Sequence, residues 1–128
     1  MKRQCVLYES SEIHERHVYI DTEIAEELYK ALQNDKFEKK FTYIVKRILE
    51  QDFPYYNDYE KLKNSPCLTE MRLFPNGIND RIYCKEIYND EGTLYVIAAN
   101  YLPKKSSNNI TRKMMQSIKP IEEYEYTF

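Results

Sequence analysis

The stretch that most constrains the fold is TEMRLFPNGINDRIYCK, residues 69–85, because its pattern is that of a tight β-hairpin. Asn76 and Gly77 both tolerate the positive φ that a two-residue hairpin loop requires. The residues before and after them alternate, as they do in strands with one buried face. A loop of two residues fixes the pairing of the two strands and sets Arg72 directly opposite Arg81.

The apolar residues agree with this register, which places Met71 opposite Ile82 and Thr69 opposite Cys84 on the face that should be buried. Like charges that face each other across a sheet repel. Two facing arginines are explicable if they share a phosphate, whose oxygens match the guanidinium donors. The alternative is an ordinary solvated strand face on which a glutamate neutralises one arginine. The opposite face of the hairpin carries Glu70, Arg72, Arg81, Tyr83 and Lys85.

The rest of the chain predicts an α+β domain in which two N-terminal helices pack on a mainly antiparallel sheet of four or five strands, followed by a C-terminal helix. A tail packs through tyrosines or forms a short strand. The expected elements begin with short strands at residues 5–8 and 17–20. A first helix starts at Asp21-Thr22 and is broken at Asn34-Asp35, and a second helix starts at Asp35 and ends near Gln51. After a proline-bounded connector follow three antiparallel strands, the last of which ends at Pro103, and then a helix from Thr111 to Ile118.

Composition narrows the possible functions. The chain has 128 residues, enough for one domain, and two glycines, which argues against a glycine-rich phosphate loop. Its three cysteines lie far apart without a C-x-x-C pair, so neither a metal nor another cofactor is expected. No apolar run has the length of a membrane helix or a signal peptide, which predicts a soluble protein of the cytoplasm.

Charge is distributed unevenly along the chain. The net charge is −2, yet residues 69–119 carry eight Lys or Arg against five Asp or Glu, which is +3. A basic segment in an acidic chain predicts an anionic ligand at one place. Lys104 and Lys105 follow the most apolar strand, although a pair of lysines in a loop is usually a solvent-exposed feature. Tyr124 or Tyr126 could bring a phenol to the basic face, while structural packing is the common role of a tyrosine.

Four short motifs follow one another along the chain: EKLKNSP, TEMR, DRIYCKEIY and VIAANYLPKKSSNNI. Their order resembles that of the RelE/ParE toxin superfamily, and most closely its phage-derived HigB-type host-inhibition toxins. The likeness covers roughly residues 18–119, and it implies a single RelE/ParE-like domain over 1–128, with an N-terminal strand or extension at 1–17 and an acidic, tyrosine-rich tail at 120–128.

The resemblance implies the toxin of a type II toxin–antitoxin pair, a metal-independent endoribonuclease that cleaves mRNA on the ribosome. In this family the 2′-hydroxyl attacks the adjacent phosphate. The implied partners are RNA, the ribosome and a small helix-turn-helix antitoxin, with no membrane and no metal. By motif, the catalytic residues would be Arg72, Arg81, Lys104, Lys105 and Tyr126, and the RNA-binding residues Lys85, Tyr83, Arg112 and Lys113.

A non-catalytic alternative remains open. ParE-like members share this fold but inhibit DNA gyrase, so fold alone does not decide the activity. The slightly acidic chain also departs from the basic character of ribosome-dependent toxins, and Tyr101-Leu102-Pro103 stands where the family commonly has a phenylalanine before the two lysines. The second hypothesis is therefore a binding protein of the same fold, such as a gyrase inhibitor or a degenerate toxin relative.

Overall fold

The computed structural model of the protein describes residues 2–74, 79–105 and 112–128. The expected turn at Asn76-Gly77 lies outside the described residues. The elements, in chain order, are β1 (Arg3–Ser11), β2 (Arg16–Asp21), α1 (Thr22–Ala31), α2 (Asp35–Glu50), β3 (Tyr59–Lys61), β4 (Leu68–Arg72), β5 (Asn79–Tyr88), β6 (Leu94–Lys105), α3 (Arg112–Ile118), a 3₁₀ segment (Lys119–Glu123) and β7 (Tyr126–Thr127).

The strands of the described residues form one seven-stranded mixed sheet in the order β3-β4-β5-β6-β2-β1-β7. The β2–β6 and β1–β7 pairs are parallel, and the other pairs are antiparallel. The predicted fold, two N-terminal helices on a mainly antiparallel RelE/ParE-like sheet of four or five strands, is therefore wrong. The sheet has seven strands and is mixed, the helices come after its first two strands, and β3 adds a strand that was not expected.

Local sequence explains where the two long helices begin. Asp21 caps α1, with its Oδ1 accepting a hydrogen bond from the Glu23 amide at 2.8 Å. The cap of α2 is Asn34, one residue before the expected Asp35, and its Oδ1 accepts from the Phe37 amide at 3.1 Å. The predicted apolar stripe of α2 is buried: Phe37, Phe41, Ile44, Val45, Ile48 and Leu49.

The hairpin of β4 and β5 has the predicted register. Met71 pairs with Ile82 and Thr69 with Cys84. Met71, Ile82 and Cys84 belong to the main core, which α1 and α2 cover on one face of the sheet. The expected two-residue turn and the alternation of apolar residues together predicted this pairing, because a shift of one residue would expose the whole apolar set and the loop length fixes the partners.

The other face of the same strands is also covered. Leu68 of β4, Tyr83 of β5 and Ala99 of β6 form a second buried cluster with Ile118 of α3 and Ile121 of the 3₁₀ segment. The face that was expected to present an open basic surface therefore lies partly beneath the C-terminal part of the chain.

Strand β6 extends to Lys105, past the expected end at Pro103. Proline lacks an amide donor and fits a strand only where the ladder does not need one. Two features explain why Pro103 fits within the strand. The pairing of β2 with β6 reaches only as far as Ala98, and the β5–β6 register shifts between Asn79 and Arg81.

Candidate functional site

The predicted meeting of two arginines occurs. Arg72 of β4 and Arg81 of β5 are direct cross-strand partners, and Glu70 pairs with Tyr83 on the same strands. All four side chains lie on the same face of the sheet, where Tyr83 packs against Ile118 of α3 and Ile121 of the 3₁₀ segment. Together with Glu60 of β3, which pairs with Glu70, we call these residues the arginine cluster.

Glu70 is the central acceptor of the arginine cluster and is only 2 % exposed. Its Oε1 accepts a hydrogen bond from a terminal nitrogen of Arg81 at 2.7 Å and another from Nε of Arg72 at 2.9 Å. Arg72 also forms an ion pair with Oε2 of Glu60 at 3.1 Å. Two positive and two negative side chains thus neutralise one another, and the Arg81 side chain is 0 % exposed.

Tyr83 is buried beside this carboxylate. Burial raises its pKa, and the negative charge of Glu70 raises it further. The phenol therefore keeps its proton at physiological pH. Its ring packs in the second cluster beneath α3.

Lys85 lies two residues further along β5 and has an internal role. Its Nζ donates to the backbone carbonyls of Glu122 at 2.8 Å and of Tyr124 at 2.6 Å. These bonds attach the segment after the 3₁₀ turn to the sheet. Two of the three N–H donors of this ammonium group are therefore used within the chain, and the expectation that Lys85 binds RNA stays a prediction.

Tyr126 lies at the other end of the sheet, on β7, and its hydroxyl donates to Oδ2 of Asp21 at 2.7 Å. Burial and the bonded carboxylate raise its pKa. The structure therefore brings Arg72, Arg81 and Tyr83 together and leaves Tyr126 apart from them. Arg112 and Lys113 are exposed on α3, while the side chains of Lys104 and Lys105 lie outside the part of the chain that is described.

A second surface was not predicted from the sequence. Between β1 and the C-terminal half of α2 lies a groove of about 520 Å³, which we call the edge groove. Its β1 side runs from Tyr8 to Ile13, and its α2 side is formed by Thr42, Val45, Lys46, Leu49 and Glu50. The polar residues on its α2 side, Thr42, Lys46 and Glu50, give no distinct signal in the sequence, because polar residues beside an apolar stripe are usual on a helix surface.

Neither a metal centre nor a membrane segment is visible in residues 2–74, 79–105 and 112–128. These residues contain no group of three His, Cys, Asp or Glu side chains that is placed to hold a metal ion. No helix among them combines the length and the apolar character needed to cross a bilayer.

Comparisons with known proteins add no assignment. No family model matches the chain, and no curated protein or solved structure is significantly similar to it. The class of protein must therefore be inferred from the geometry of the residues themselves.

Proposed function

We propose that the protein is a non-catalytic binding protein. The observation that supports this is the position of Arg81, whose buried guanidinium is bonded to Glu70 at 2.7 Å. Catalysis of phosphodiester cleavage requires donors that meet the charge developing on the phosphate. In the arginine cluster, Arg72 and Arg81 each already donate a hydrogen bond to an internal carboxylate.

Energetics favours the same conclusion. Separating one partner from a buried ion pair costs about 3–5 kcal/mol. A substrate that drew Arg81 away from Glu70 would lose this amount of binding energy, which is about two to four orders of magnitude in affinity. Arg72 is more accessible, yet Glu70 and Glu60 both compensate its charge.

The net negative charge of the chain favours a partner other than RNA. Affinity for a nucleic acid backbone comes mainly from lysines and arginines that neutralise phosphates. This chain has a net charge of −2, and Lys85 is engaged by backbone carbonyls. We also propose a cytoplasmic location, in which the three free cysteines Cys5, Cys67 and Cys84 would stay reduced.

An RNA cleavage assay tests this proposal. The purified protein is incubated with single-stranded RNA, alone and with translating ribosomes, and we expect the RNA to remain intact. Arg72→Ala is compared with Lys36→Ala, which makes the same charge change at an exposed position of α2. Circular dichroism establishes that both variants are folded. RNA that the purified wild type cuts would overturn the proposal, and cutting that is lost in folded Arg72→Ala but kept in Lys36→Ala would assign the activity to the arginine cluster.

The toxin hypothesis from the family resemblance stays a prediction, because no relative tests it. Within the binding class that resemblance suggests a gyrase inhibitor. A supercoiling assay with purified DNA gyrase measures this directly, and inhibition without RNA cleavage would identify the target of the binding protein.

A further inference from the structure

Within the described part of the chain, strand β1 presents an edge that lacks a partner strand over most of its length. On its inner side β1 pairs with β2 from Cys5 to Ser11. On its outer side β7 pairs with it at Arg3 and Gln4, and no other strand of the described residues follows. Unpaired amide and carbonyl groups along a strand edge are a template for another extended chain.

The exposed side chains of this edge agree with an uncovered surface. Val6 is 38 % exposed and Leu7 is 52 % exposed, and Ile13, at the end of the hairpin between β1 and β2, is 92 % exposed. Apolar side chains with this exposure gain free energy when a partner covers them.

The edge groove lies beside the same strand and has an apolar floor. Tyr8 packs edge-on against Phe41 with a ring-centroid distance of 5.0 Å, and Val45 and Leu49 are buried next to it. The β1–β2 register shifts between Leu7 and Glu9. A bulge of this kind inserts an extra residue into one strand and redirects side chains there, and Tyr8 and Glu9 both line the edge groove.

The rim of the edge groove is acidic. Glu9, Glu12 and Glu50 are exposed there, against one lysine, Lys46. The rim therefore carries a net charge of −2 beside an apolar floor. A complementary ligand would have apolar side chains in its middle and basic side chains on either side of them.

We propose that β1 and the edge groove bind an extended, basic segment of a partner protein by strand addition. The backbone of the segment pairs with the outer edge of β1. Every second side chain then faces the groove: apolar side chains cover Tyr8, Val45 and Leu49, and lysine or arginine side chains meet the rim glutamates. This inference rests on the proposed function and names the chemistry of the partner.

A second copy of the chain fits this surface less well. If two β1 edges paired about a twofold axis, the two acidic rims would approach each other, and like charges across an interface are unfavourable. The bulge in β1 also makes unspecific pairing with the edge of another sheet less favourable. A partner therefore needs the side-chain contacts of the groove in addition to the backbone.

A defined peptide tests the proposal. The probe is fluorescein-labelled Thr-Lys-Thr-Val-Thr-Val-Thr-Lys-Thr, in which alternate residues place two valines between two lysines on one face. We expect saturable binding in fluorescence anisotropy and slower hydrogen exchange of the amides of residues 5–11. Glu9→Lys combined with Glu50→Lys should weaken binding by about tenfold or more, whereas Glu26→Lys, an exposed change on α1, should leave it unchanged.

Two N-methylated peptides separate strand addition from simple charge attraction. One is methylated at its valines and the other at its threonines, and both keep the two lysines. Successive residues of a strand direct their amides to opposite edges, so only one of the two peptides should lose its affinity. Equal binding of both peptides, or no binding of the parent peptide, would overturn the inference.

Sedimentation of the free protein tests the alternative occupant. A stable dimer that Leu7→Lys dissociates would assign the edge to a second copy and would also overturn the inference. The proposed function is tested separately. A failed peptide titration leaves the RNA result unchanged, and RNA cleavage that depends on Arg72 would refute the proposed function whatever the peptide does.

Discussion

Glu70 accepts hydrogen bonds from two arginines, and this single carboxylate determines what the opposed guanidiniums can do. Arg81 has no exposed surface, whereas Arg72 also reaches the solvent side, where Glu60 meets it. Buried charges are tolerated only when they are paired and hydrogen-bonded. At the scale of single residues, the arginine cluster is therefore an internal electrostatic unit.

Replacing Glu70 should cost much more stability than replacing Glu60. We expect Glu70→Gln to lower the free energy of unfolding by about 3–5 kcal/mol, because it leaves the Arg81 charge buried without a counter-charge. Glu60→Gln removes the partly exposed partner of Arg72 and should cost less than about 1 kcal/mol. Urea denaturation measures both values.

A double variant checks that the cost arises from the unpaired charge. Glu70→Gln combined with Arg81→Met removes both charges, so it should be less destabilised than the sum of the two single variants. Additive costs would contradict the pairing, and equal costs of Glu70→Gln and Glu60→Gln would contradict the burial of the cluster.

At the scale of elements, Asp58 fastens the connector between α2 and β3 to the helix. It accepts hydrogen bonds from Lys40 at 2.6 Å and from Arg47, and Nε of Arg47 donates to the carbonyl of Pro54 at 3.1 Å. Burial by itself would raise the pKa of Asp58, but the hydrogen bonds and charges of Arg47 and Lys40 outweigh it, and the pKa is lowered.

The lowered pKa of Asp58 predicts how stability depends on pH. A carboxyl group whose pKa is lower in the folded than in the unfolded state stabilises the fold above its unfolded pKa, about 3.9. This contribution is lost as the pH falls through the lower, folded-state pKa. We therefore expect Asp58→Asn to be less stable than the wild type at pH 7 and to lose less stability on acidification. Urea melts between pH 7 and pH 2.5 measure the difference, and parallel curves would contradict it.

Prediction from sequence succeeded where the pattern was local. The register of β4 and β5 follows from the two-residue turn together with the alternation of apolar residues, and the apolar stripe of α2 follows from its helical period. Strand β3 was missed because its three residues are defined by pairing with β4. The burial of Arg81 was missed because alternation along a strand shows which side chains share a face, but not whether other parts of the chain cover that face.

At the scale of the whole molecule, one buried carboxylate connects segments from the beginning and the end of the chain. Oδ2 of Asp21 accepts from Nε of Arg3 at 2.8 Å and from the Tyr126 hydroxyl at 2.7 Å. The Arg3 amide also donates to the carbonyl of Glu125 at 2.7 Å. These contacts hold β7 against β1 at the end of the sheet opposite β3.

Tyr126→Phe should loosen this connection. Loss of a hydrogen bond to a charged group costs about 1.5–3 kcal/mol, so we expect a loss of this size in urea denaturation and faster hydrogen exchange of the Arg3 amide. The control is Tyr29→Phe on α1, where the side chain is 41 % exposed and the change should have little effect. Similar stabilities of the two variants would show that the hydroxyl of Tyr126 contributes nothing.

The parallel pairing of β2 with β6 has a consequence for the synthesis of the protein. Ile20 pairs with Ala98, so an early strand lacks its neighbour until much of the chain has been translated. At about 5–20 residues per second, that delay is roughly 4–16 s. A hairpin of β1 and β2 formed during this interval would expose both of its edges, and exposed strand edges pair readily with other extended chains.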